Sequence, residues 1–206
     1  MKTLHKMSVA LSIVLLSASA TAVVGDKGGK DLADFKASFA EKGIAKLDRL
    51  EQTDLQKQCS AYAKKPMPAK LKAKLEKAEL DAVVYPADGN YLGNWREGEK
   101  IAQNGRGLQF SDDAKTVNGG NCYACHQVAK AEIAFGNIGP SLSQYAKLRG
   151  GVTPELTKYT WSKIYNSHSS NACSTMPRFG ASQILTEQQL KDVMALLLDP
   201  QSPVNQ

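Results

Sequence analysis

GGNCYACHQ, residues 119–127, sets Cys122 and Cys125 two residues apart and puts His126 directly behind the second cysteine. A Cys-x-x-Cys pair can hold zinc, shuttle a disulfide or fasten a haem. Structural zinc needs four ligands and usually draws them from two paired clusters. Outside the N-terminal leader only Cys59, Cys173 and His168 remain as soft ligands, none at a paired spacing. A thioredoxin-type centre stands at the start of a helix after a strand, and Gly119-Gly120 supplies no such strand. Covalent haem uses all three residues: each thiol adds to a vinyl group, and His126 becomes the proximal ligand of the iron. The motif occurs once, so one haem c is expected, attached through Cys122 and Cys125.

An electron-carrying haem needs a sixth ligand, and the downstream candidates are His168, Met176 and Met194. Met194 falls on the apolar stripe of the last helix and reads as core. Met176 lies in STMPRFG, where Pro177 imposes an extended loop that can present a thioether to a ring face. His168, in the polar NSHSSN, is the alternative, with a solvated loop histidine as the plainer reading. On the proximal side, Gly139-Pro140 in GNIGPSL offers the Pro140 carbonyl to the free ring N–H of His126. Trp161 and Arg178 are candidate donors to the haem propionates, a core role being the alternative for Trp161.

The chain opens with a basic start at Lys2 and Lys6, an apolar run Val9 to Leu16 and small residues up to Ala20 or Ala22. Residues 1–22 therefore read as a cleavable secretory signal peptide rather than a membrane anchor, and the periplasm is the expected compartment. No cysteine follows the cleavage site, so no lipid anchor is indicated. Cleavage removes two lysines and no acid, and the formal charge falls from +6 to +4. A balance this small gives no reason to expect nucleic acid.

Two textures follow. Residues 23–90 read as a helical extension rich in Lys, Ala and Glu, with apolar intervals at Leu32, Phe35 and Phe39, at Ile44, Leu47 and Leu50, and at Leu71 and Leu75. These stripes are too narrow for a core of their own and must lie on the second region or on a partner. Residues 91–206 form the expected haem domain. Its helices start at Asn94, at Thr153 with Pro154, and at Thr186 with Gln189 completing a capping box. No strand pattern longer than a few residues appears, so the fold is expected to be all-α. Cys59 and Cys173 are left over. In an oxidising compartment they are expected to pair, with a bridge to another chain or a buried free thiol as competing readings.

NCYACH, GNIGPSL and the MPRFG loop together resemble class I cytochrome c, and so imply a class I cytochrome c-like domain behind an N-terminal helical extension. With YTWSKIYN, NACSTMPRFG and LTEQQLKDVMALLLD, in order over residues 94–199, the chain more narrowly resembles the SoxX family. KIYN followed by MPRFG is the specific part. That family is the monohaem subunit of the SoxAX complex, a heteromeric L-cysteine S-thiosulfotransferase of periplasmic thiosulfate oxidation. The resemblance implies His126 and Met176 as axial ligands and a dihaem SoxA-type partner that carries the bond-forming site. It also implies a SoxYZ-type sulfur carrier and a soluble cytochrome acceptor. The extension resembles the longer form of the family, which leaves room for a small accessory subunit. A free-standing mobile cytochrome c is the other function class.

Overall fold

The computed structural model describes residues 27–206, so the signal-peptide reading lies outside the described residues. Helices and short 3-10 turns carry the described chain, with no β-strand among these residues and one isolated bridge between Lys42 and Ala45. Two compact units divide it, one up to Phe39 and one from Ala40 to Gln206. In the first, α1 is Lys27–Ala37, and its Phe35 ring meets the ring of Phe39, just past the helix, edge-on at 5.0 Å.

In the second unit, α2 is Asp54–Ala61, α3 Ala69–Asp81, α4 Trp95–Gln103, α5 Pro154–Tyr165 and α6 Glu187–Leu198. The main packing contact joins α4 to α6, and Gly98 makes it possible. A Cβ there would lie 2.1 Å from the Asp192 carbonyl oxygen, so only glycine lets the two backbones come this close. Asp192 then links the start of α4 to α6: its Oδ1 accepts the Asn94 N–H and Gln188 Nε2, both at 2.9 Å. The caps at Asn94, Thr153 and Thr186 accept the N–H groups of Arg96, Leu156 and Gln189. Each satisfies a donor that the first turn would otherwise leave open. Leu190, Val193, Met194 and Leu197 are buried as their spacing predicts, and Leu196 and Leu198 bury a second side of α6. Met194 is core, with no exposed surface.

The lysine-rich stretch departs from expectation in one place. Ile44 to Leu50 is not an amphipathic helix; it holds the Lys42–Ala45 bridge and a 3-10 turn, Leu47–Leu50. Arg49 explains this, since its guanidinium donates to Leu108 O at 2.7 Å and to Ile44 O at 3.0 Å, fastening the strip as a loop. The helix comes later, at α2, opened by a capping box of Thr53 and Gln56. Packing then runs across residue 90 without a break: Trp161 Nε1 donates to Val84 O at 2.9 Å, and Lys191 pairs with Asp88 at 3.1 Å.

Candidate functional site

The 119–127 stretch hangs from the end of α4. Gly120 N–H donates to Ile101 O at 2.8 Å and Asn121 N–H to Asn104 O at 3.0 Å. Asn121 then turns through the left-handed region at φ 47°, and a 3-10 turn, Cys122–Ala124, brings the His126 N–H onto Cys122 O at 2.9 Å. Residues 136–142 lie over this turn. Gly136 N–H donates to Tyr123 O and Gly139 N–H to Cys125 O, each at 2.8 Å. Gly139 is required here, because a Cβ would fall 2.1 Å from Cε1 of the His126 ring.

His126 Nδ1 lies 2.7 Å from Pro140 O. A carbonyl only accepts, so Nδ1 carries the proton and Nε2 keeps its lone pair for a ligand. Cys122 and Cys125 are free thiols, not joined to each other. Burial pushes the Cys122 thiol up to about 12, the direction opposite to the activated thiolate of a dithiol oxidoreductase. Among the described residues no group of three or more His, Cys, Asp and Glu could hold a metal ion, so a zinc cluster finds no ligand set. Two unpaired cysteines at this spacing with an oriented imidazole behind them fit covalent haem attachment.

The second loop is built from side chains. Met176 is half-buried and packs against the core. Its carbonyl accepts Ser167 Oγ at 2.5 Å, and its N–H donates to Ser174 Oγ at 3.2 Å. Beyond it, Phe179 N–H donates to Ile164 O, while Gly180 and Ala181 N–H both donate to Tyr165 O. The KIYN and MPRFG segments are thus locked together. Cys59 and Cys173 form a disulfide, S–S 2.06 Å, which settles the competing readings of these cysteines.

His168 is buried rather than solvated, 5% exposed. Its Nε2 donates to Ser174 O at 3.2 Å, which leaves Nδ1 a buried acceptor with no partner. Burial holds its pKa below the ordinary value, so the ring is neutral. Trp161 is core: it is 2% exposed, meets Tyr91 edge-on at 5.5 Å, and spends its single N–H on Val84. That donor is no longer available to a propionate. Arg178 is partly buried, and its guanidinium makes no hydrogen bond among the described residues. Sequence reasoning missed Ser167, Asn166, Glu76 and Glu79, which hold the Met176 loop. The available signals were the three-residue spacing of the two acids on one helix and the polar run after KIY.

A family model for cytochrome c matches residues 97–199. An Aquifex aeolicus (strain VF5) protein described as an uncharacterized lipoprotein is 42% identical over 135 residues. The match covers 62% of this chain and 60% of that protein, so the chain spans about three fifths of the relative's length.

Proposed function

Because the chain belongs to the cytochrome c family, matched over half its length, we propose that this class I c-type cytochrome is the exported electron-transfer subunit of a thiosulfate-oxidising complex of the SoxAX type. Haem c supplies a one-electron iron couple. Cys122 and Cys125 would hold it through thioethers, and His126 Nε2 and the Met176 thioether would ligate its iron. The Pro140 carbonyl holds His126 in one tautomer and one orientation. Arg178, whose guanidinium makes no hydrogen bond among the described residues, is the cation we assign to a propionate.

The observation that carries the narrower reading is the locking of KIYN to MPRFG, the two segments that resemble SoxX most specifically. Export is supported by the leader at residues 1–22, by the Cys59–Cys173 disulfide and by the lipoprotein description of the relative. Among the described residues no helix is long and apolar enough to cross a membrane. Coupling thiosulfate to a carrier thiol forms one S–S bond, releases the thiol proton and frees two electrons. In this reading the bond would form on the dihaem partner, and this chain would hold a one-electron group through which both electrons would pass to a soluble cytochrome.

Reconstitution tests this. Thiosulfate-dependent reduction of a soluble cytochrome c, with a dihaem SoxA-type protein and a SoxYZ-type carrier, should require this chain and should fail with Met176→Ala. Equal rates with and without the chain would leave a free-standing mobile carrier as the function.

A further inference from the structure

Residues 171–176 reach Met176 through anchors that lie far away in sequence. The first is the Cys59–Cys173 disulfide, from α2. Next, Glu76 Oε1 on α3 accepts the N–H of Ala172, a residue with no exposed surface, at 3.2 Å. Glu79 stands three residues on and shares that face of the helix. Its Oε2 accepts Asn166 Nδ2 at 2.7 Å, and its main-chain carbonyl lies 3.3 Å from the same nitrogen. Asn166, 1% exposed, accepts the His168 N–H with Oδ1 and so caps the 3-10 turn Ser167–Ser169. Ser167, with no exposed surface, completes the line by donating to Met176 O.

A loop with no secondary structure of its own loses backbone entropy for every residue it fixes. A thioether at its tip then competes with water for the iron unless that ordering is already done. We propose that Glu76 and Glu79, together with the Cys59–Cys173 bridge, are positioning residues that hold Met176 at the sixth coordination place. The lysine-rich helices α2 and α3 therefore serve the electron-transfer site from within the chain. This rests on Met176 being the ligand.

The test is imidazole titration of the ferric holoprotein, read beside the methionine-to-iron charge-transfer band. In Glu76→Ala/Glu79→Ala, imidazole should occupy the iron at about tenfold lower concentration and the band should weaken, since a buried donor has lost its acceptor. Glu76→Gln/Glu79→Gln keeps an accepting oxygen at each position and should stay within about twofold of wild type. A second measurement uses the unmutated protein: hydrogen exchange of the 171–176 peptide should quicken about tenfold when a phosphine reduces the disulfide to two thiols. Unchanged imidazole affinity in the Ala variant overturns the proposal. If that variant does not fold, unchanged exchange on reduction overturns it. Met176→Ala separates the two readings. A spectrum unaltered by Met176→Ala overturns the ligand assignment and this proposal with it. An altered one beside an unaffected Glu76→Ala/Glu79→Ala overturns this proposal alone.

Discussion

The loop of residues 119–142, which carries His126, and the loop of residues 166–180, which carries Met176, are anchored differently. Around His126 the partners are backbone groups close in the chain: Cys125 O takes the Gly139 N–H, and Pro140 O takes the ring N–H from fourteen residues away. Met176 itself meets the side chains of Ser167 and Ser174, nine and two residues away, and the anchors behind them are side chains at long range. Glu79 and Asn166 stand 87 residues apart, Glu76 and Ala172 stand 96 apart, and the disulfide spans 114. Short-range backbone closure demands particular residues at particular spacings. Long-range closure demands only that some side chain of suitable chemistry arrive there.

The comparison can be broken most completely at the first loop. Cys122→Ala/Cys125→Ala should abolish covalent attachment, read as complete loss of haem stain on a denaturing gel; retained stain would end the haem reading of the motif. At the second loop the largest effect belongs to the disulfide. Cys59→Ser/Cys173→Ser should cost about 2–4 kcal/mol of stability, measured by urea unfolding of the holoprotein. A loss below about 1 kcal/mol would mean that the reduced chain is already restrained there.

Gly139→Ala sharpens the contrast, because the added methyl must push either the His126 ring or the 136–140 backbone aside. About 1–3 kcal/mol of destabilisation is expected, together with a shifted proximal-histidine signal in the paramagnetic NMR spectrum. An unmoved signal would show that the turn yields without disturbing the ligand.

The smallest effect is a pH slope at the second loop. Burial lowers the His168 pKa below its ordinary 6.5. The unfolded chain therefore takes up the proton first, and stability is fully present above 6.5 and lost as pH falls from 6.5 toward the folded value. Between about pH 7 and about pH 5 the urea midpoint of wild type should fall more than that of His168→Gln. Parallel slopes would place the acid sensitivity elsewhere.

Much of this molecule is legible in its residues. Asn94, Thr153 and Thr186 cap the helices that carry their names in the pattern, because a cap satisfies its own first turn and needs nothing distant. Cys122, Cys125, His126 and Pro140 are legible for the same reason: their geometry is set within one short stretch of backbone. The misreadings have a common cause. Ile44, Leu47 and Leu50 show helical spacing, but Arg49 binds Leu108 O and the strip becomes a loop. Trp161 has the chemistry of a propionate donor, and Val84, 77 residues away, takes its N–H instead. His168 reads as a solvated loop residue, and the fold buries it over Ser174.

By itself, then, the sequence determined the helical class, the cap positions and the contact between His126 and the Pro140 carbonyl behind the Cys122–Ala124 turn, all of which close over a few turns of chain. Tertiary structure alone decided that Glu76, Glu79, Asn166 and Ser167 would converge on the Met176 loop. A glutamate on an amphipathic helix carries no mark of the amide it will meet, and only the packing of α3 on the Ser167–Ser169 turn brings the two within hydrogen-bonding reach.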